Sequence, residues 1–150
     1  MNDKNRMRYV LGFLFNEDRS SVVLIRKSKP VWQSGLLNGV GGKIEEGETP
    51  LNAMIREFRE EAGVDTTQIK WRQYCTMVGK DFEVICFTVR DTKSLELAHT
   101  VEQDPIFKIN WVDFYKFKCV SNLSWLMALA TDENYGNKFY VTAQYGMNYE

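Results

Sequence analysis

The sequence predicts an α/β fold, an α/β/α sandwich with a central mixed β-sheet. Three observations lead there. Strand-like segments open the chain and recur in its middle, a helix with both ends marked interrupts them at 50–62, and a second helical period follows at 122–129. Strands accompanied by two separate helices are most simply packed with one helical layer on each face of a sheet.

Residues 6–15 are rich in β-branched and aromatic side chains, and 21–26 repeat that character after the polar turn Asn16-Glu17-Asp18-Arg19, so the pair reads as an antiparallel hairpin. The segment Asn38-Gly39-Val40-Gly41-Gly42-Lys43 forms a short strand and a glycine-rich loop leading into the first helix. That helix has Thr49 to cap it, Pro50 at its first position and Gly63 where a left-handed residue is wanted. A second hairpin is expected from 71–78 and 82–90 around Gly79-Lys80-Asp81, with a further strand at 109–112. Leu123, Leu126, Met127 and Ala130 recur at helical spacing. The alternating tail at 138–145 reads either as an edge strand or as a mobile terminus.

At 150 residues, 44% of them hydrophobic, the chain suits one domain over 1–150 with a sizeable core. Nineteen basic and 20 acidic residues leave a formal charge of -1, so no global field draws it to a nucleic acid polymer or an anionic membrane. A small-molecule partner fits that balance. No apolar run approaches the roughly 18 residues of a membrane span, and MNDKNRMR lacks the apolar core of a signal peptide, so a cytoplasmic location is expected. Cys75, Cys86 and Cys119 are odd in number and widely spaced, which points to reduced, buried thiols rather than a disulfide framework or a zinc site.

On the helix at 50–62, Leu51, Met54, Ile55, Phe58 and Ala62 gather on one face, and Glu57, Glu60 and Glu61 on another. A row of Glu is ordinarily a solvated face. Here Glu57 and Glu61 are like charges at i, i+4, costing about 0.2 to 0.5 kcal/mol. Glu60 and Glu61 also occupy the last turn, where the helix dipole disfavours anions by about 0.3 to 1 kcal/mol each. A hard divalent cation would cancel that repulsion, and Mg²⁺ uses such carboxylates, with open water positions, to engage substrate phosphates. The glycine loop upstream is neither a Walker A loop nor a GxGxxG fingerprint, yet its bare backbone suits close approach to a phosphate or metal.

Taken together, Gly42, Glu48, Arg56, Glu57, Phe58, Glu60, Glu61, Gly63 and Val64 resemble the signature of the Nudix hydrolase family at every specified position. Chance agreement at one starting point is on the order of 10⁻⁹ at typical residue frequencies. The resemblance implies that Glu57, Glu60 and Glu61 ligate Mg²⁺, with Mn²⁺ as a substitute, assisted by the carbonyl oxygen of Gly42. It implies that Arg56 orients a carboxylate and that Glu48 makes a structural or electrostatic contact near the loop. Glu57 and Glu60 are the candidates for taking the proton from water. Glu102 or Asp104 is either an additional ligand or base, or a solvated loop charge.

The expected reaction is attack of water on an inner phosphorus of a nucleoside diphosphate derivative, releasing a nucleoside monophosphate, and pyrophosphate from a triphosphate. The segment around Asn38 resembles MutT-like nucleoside triphosphatases, including those that remove oxidised purine nucleotides such as 8-oxo-dGTP. Asn38 then either reads a purine edge or makes a turn. Gly41, Lys43 and Trp32 are further substrate-binding candidates, as are Arg26, Lys27 and Lys29 for phosphates. Trp32, Trp111, Phe13 and Phe82 either stack on a base or belong to the core. His99 reads as solvated rather than catalytic. ADP-ribose hydrolases usually carry a proline soon after the motif, whereas the first one here is Pro105. The remaining alternatives are a dinucleoside polyphosphate hydrolase, an RNA decapping enzyme and a non-catalytic nucleotide-binding regulator, the last disfavoured by the intact carboxylates. A homodimer is consistent with the resemblance.

Overall fold

In β1 (Met7–Phe15) Val10 and Leu14 point into one core while Leu11, Phe13 and Phe15 point into another, as the two-residue period of a strand dictates. β2 (Ser21–Arg26) divides in the same way, with Val23 and Ile25 on one side and Val22 and Leu24 on the other. A sheet apolar on both faces has to be covered twice. In the computed structural model, which describes residues 5–133 and 140–146, α1 (Pro50–Ala62) covers the first face with Met54, Phe58 and Ala62. α3 (Leu123–Thr131) covers the second with Leu123, Leu126, Met127 and Ala130. The expected α/β/α sandwich with a mixed sheet is the fold observed. Among the described residues no helix is long and apolar enough to cross a membrane.

The first hairpin departs from expectation in an informative way. β1 and β2 are antiparallel but meet only at Phe15↔Val22, and then diverge like the arms of a V. β3 (Leu37–Asn38) runs up one arm, paired with Arg26 and Ile25 of β2. β4 (Val40–Lys43) runs down the other, paired with β1 from Gly12↔Val40 to Tyr9↔Lys43. Gly39 sits at the apex, where a Cβ would lie 2.8 Å from the Gly12 carbonyl oxygen and 2.9 Å from the Phe13 ring. A Cβ on Gly41 would overlap the Val10 carbonyl. These two glycines therefore serve the close approach of β1.

On its other edge β1 pairs in parallel with β6 (Phe82–Arg90), from Met7↔Phe82 to Phe15↔Arg90. β5 (Arg72–Val78) is antiparallel to β6, through a turn closed by Gly79 N–H donating to Phe82 O at 2.9 Å. The tail supplies an edge strand, β8 (Val141–Gln144), parallel to β5; residues 138 and 139 of that expectation lie outside the described residues. The strand expected at 109–112 is β7 (Ile106–Asn110), paired with β2. It ends early because the Asn110 side chain accepts from Val112 N–H at 3.3 Å, turning Trp111–Lys116 into a 3₁₀ segment. α2 (Thr92–Leu97), capped by Asp91 on Ser94 N–H at 3.0 Å, is too short for periodicity to reveal. Cys75 and Cys86 are buried free thiols, whereas Cys119 is only half-buried. Phe13 is wholly buried in the second core and Phe82 packs on Tyr145, 6.0 Å between ring centres.

α1 lies against β1 because Gly12 leaves room for it: a Cβ there would stand 2.6 Å from Met54 Sδ and 3.1 Å from the Trp71 ring. Phe58 meets Trp71 edge-on at 5.5 Å. The indole N–H of Trp71, which could not be left unpaired in that core, donates to Thr66 Oγ1 at 2.9 Å. Thr66→Val keeps the volume and orphans the donor, so thermal unfolding is expected to show a loss of about 1–3 kcal/mol. An unchanged Tm would mean that this bond does not hold the α1 layer.

Candidate active site

Thr49 Oγ1 accepts from Asn52 N–H at 3.1 Å and Gly63 closes α1 at φ 74, so the register of every side chain on the helix is set at both ends. Arg56 then reaches back toward the glycine loop and spends all five of its N–H donors. Nε and Nη2 fork onto Glu48 at 2.8 and 3.0 Å, and Nη2 also donates to the Lys43 carbonyl at 2.9 Å. Nη1 donates to Glu57 Oε1 at 2.8 Å and to Glu60 Oε2 at 3.2 Å. The Arg56 guanidinium holds the Glu48 carboxyl below its usual range. Glu48 is thus the clamp that aims Arg56.

Glu57 is buried, and a Cβ on Gly42 would overlap its carboxylate. Only glycine at 42 leaves space for that group. Burial pushes the Glu57 carboxyl up despite the hydrogen bond from Arg56. Glu61 is pushed up to about 6, first by burial, with Glu57, Glu102 and Asp104 adding to the rise and Lys27 opposing it. Glu60 is half-exposed and drawn to Arg56. The three carboxylates of one helix face therefore occupy three electrostatic settings. Among the described residues no three His, Cys, Asp or Glu side chains, Glu57, Glu60 and Glu61 included, are brought together as a set that could hold a metal ion as they stand. Mg²⁺ ordinarily takes one or two carboxylates with waters and substrate phosphates, so an open set suits it. The residues fit such an ion: a buried, glycine-cradled carboxylate and a neighbour crowded by like charge are both stabilised by a cation.

The loop carrying Glu102 and Asp104 lies on the Glu61 side, tied to the rest of the chain by Ser28 N–H donating to Asp104 Oδ2 at 3.3 Å and Arg26 N–H donating to Pro105 O at 3.0 Å. Of the basic candidates, Lys27 is the one whose charge acts on Glu57 and Glu61. Arg26 instead stacks over the Phe107 ring at 4.5 Å, and the exposed Lys43 contributes its carbonyl to Arg56. Asn38 is half-buried; its Oδ1 accepts from Gly39 N–H at 2.8 Å and its Nδ2 donates to Gln33 Oε1 at 3.2 Å. Trp32 is 71% exposed on the turn Val31–Gln33 beside it. Gly41 is taken up by strand pairing with Leu11.

The structural or electrostatic contact expected of Glu48 near the loop is its fork with Arg56. Sequence reasoning did not single out Gln33 or the packing of His99 on Gly63. Neither carries a local signal, because each acts through a residue distant along the chain or across a turn. Arg56→Lys retains the charge but cannot make the fork, so it is expected to cost about 1–3 kcal/mol, or roughly 2–4 °C of Tm per kcal/mol. Thermal melts checking this would undercut the role given to Arg56 if the lysine variant matched wild type.

Comparison with known proteins places the chain among relatives. An 8-oxo-dGTP diphosphatase of Proteus vulgaris is 32% identical over 68 residues, 45% of this chain and 60% of that protein. Another, from Escherichia coli (strain K12), is 34% identical over 59 residues, 39% of this chain and 45% of that protein. The chain thus matches less than two thirds of either relative's length. A solved MutT structure, from work on the Aliivibrio salmonicida and Vibrio cholerae proteins, shares the fold with a TM-score of 0.67 at 24% identity, over 82% of this chain and 98% of that one. The NUDIX domain model matches residues 5–126, which takes in the V-shaped split, α1 and the acidic loop, and the chain therefore belongs to the NUDIX domain family.

Proposed function

We propose that this chain hydrolyses the phosphoanhydride bond of a nucleoside diphosphate derivative, with a nucleoside triphosphate as the favoured substrate, to nucleoside monophosphate and pyrophosphate in a Mg²⁺-dependent reaction. The observation that carries the proposal is the carboxylate array of α1, fixed by Arg56 and cradled at Gly42. Glu57, Glu60 and Glu61, with the Gly42 carbonyl, would hold the ion, and Glu102 would add a ligand from the facing loop. When bound, Mg²⁺ supplies charge screening at the phosphates, polarisation of a phosphoryl oxygen and a lowered pKa for water.

The chain's own residues do the rest. Lys27 offers a cation beside the carboxylates where phosphate charge would gather. Glu57 and Glu60, held by Arg56, are the groups positioned to accept a proton from attacking water. Among the described residues Asn38 retains one donor and one acceptor beyond its bonds to Gln33 and Gly39, enough for a base edge. Trp32 presents an exposed ring for stacking. The names of the two relatives favour an oxidised purine nucleotide such as 8-oxo-dGTP.

The test is pyrophosphate and phosphate release from canonical and oxidised nucleoside triphosphates, ADP-ribose and dinucleoside polyphosphates, with and without Mg²⁺. Glu61→Gln is expected to lower kcat/KM by on the order of 10²-fold or more while leaving the metal-free Tm equal or higher, since it relieves like-charge crowding. Normal turnover by that variant would sink the metal-site reading.

The raised carboxyl of Glu61 also sets a pH dependence. Its ordinary value is 4.5 and its folded value about 6, so within that window the unfolded chain has lost a proton that the folded one retains. Rising pH therefore removes stability there, and Glu57 acts in the same sense. The lowered Glu48 acts oppositely, losing its contribution as pH falls through its folded pKa. Because Mg²⁺ competes with the proton, the Tm increment it confers should grow as pH rises through about 6. An increment as large at pH 5 as at pH 7.5, in melts with and without the ion, would contradict this.

A further inference from the structure

The glycine that ends α1 has a neighbour that its φ of 74 does not explain. A Cβ on Gly63 would stand 2.6 Å from Nε2 and 2.9 Å from Nδ1 of His99, so the His99 ring occupies the slot left by the missing side chain. The same residue donates its main-chain N–H to the Ala62 carbonyl at 3.0 Å, satisfying one of the orphan acceptors at the helix end. Its Nδ1 is 2.9 Å from the Leu97 carbonyl, which limits the ring's rotation. Just before it, Leu95 and Ala98 are buried in the core beneath α1.

His99 is also the first residue of the segment that carries the facing carboxylates. That segment is secured at its far end, where Ile106 N–H donates to Thr100 Oγ1 at 2.9 Å and Arg26 N–H to Pro105 O at 3.0 Å. Its near end is held by His99. Between these ties stand Glu102 and Asp104, whose negative charges act on the half-buried Glu61. Without an ion they repel it, and an untethered loop would relax away from the helix.

We propose that His99 is a positioning residue of the site: its ring over Gly63 and its N–H on Ala62 fasten residues 99–105 to the end of α1 and hold Glu102 and Asp104 facing Glu61. This rests on the metal-site reading above and extends it, because it couples a loop group to the helix carboxylates through the helix's own terminal glycine. Residues that orient ligands commonly change metal affinity by about 10- to 100-fold when removed.

The experiment is Mn²⁺ binding to the full chain, followed by the electron paramagnetic resonance of free Mn²⁺, in a double-mutant cycle. His99→Ala is expected to weaken Mn²⁺ binding about tenfold. His99→Asn, which keeps a donor near the position of Nδ1, should recover part of the loss. In a Glu102→Gln, Asp104→Asn background the His99→Ala effect should vanish, since the clamp then has nothing to position. A loss that persists undiminished in that background overturns the proposal, as the effect would then run through α1 itself. An unchanged affinity in His99→Ala overturns it directly. If the loop variants bind normally while Glu61→Gln does not, the metal site stands and the role of His99 falls; normal binding by Glu61→Gln brings down both.

Discussion

The arrangement of this protein depends on how one helix tolerates its own negative charge. Glu57, Glu60 and Glu61 crowd the end of α1, where the helix dipole already disfavours them. Arg56 answers that repulsion from within the same helix: every donor of its guanidinium is used, two on Glu48, one on the Lys43 carbonyl and one each on Glu57 and Glu60. Because a guanidinium is planar and always charged, its partners are placed in direction as well as in distance. The helix, the glycine loop and the turn before α1 are joined at this one group.

Arg56 does not reach Glu61. That carboxyl is left to burial and to the like charges of Glu57, Glu102 and Asp104, with Lys27 as its counterweight. The site therefore combines a satisfied half, which is structural and persistent, with an unsatisfied half that is stabilised by adding positive charge. Such an imbalance is costly in a resting protein and useful in one that recruits a cation together with a polyphosphate.

Glycine is used here chiefly to remove obstacles. Gly39 turns the chain at the apex of the V between β1 and β2, Gly41 lets β1 approach, Gly42 leaves room for the Glu57 carboxylate, and Gly63 leaves room for His99. The consequence is spatial: the short β3–β4 wedge carries Asn38 and Gly42, its Lys43 carbonyl accepts from Arg56 at 2.9 Å, and Leu36 O just before it accepts from Lys27 N–H at 3.0 Å.

The sequence by itself determined the sandwich, the limits of α1 and the carboxylate face, because strand alternation, caps and like-charge spacing are local and leave a local trace. It also identified Arg56, Glu48 and Gly42 through the motif. It did not reveal that the first hairpin opens into a V, that β7 ends at Asn110 or that α2 exists, since those follow from pairing partners far along the chain or from elements too short to show a period. Nor did it distinguish the three glutamates: Glu57 is buried and bonded to Arg56, Glu60 is half-exposed beside Arg56, and Glu61 is half-buried with no bond to Arg56. That difference, like the contacts of Asn38 with Gln33 and of His99 with Gly63, was decided only by the tertiary structure, because burial, electrostatic neighbours and packing are properties of space rather than of order along the chain.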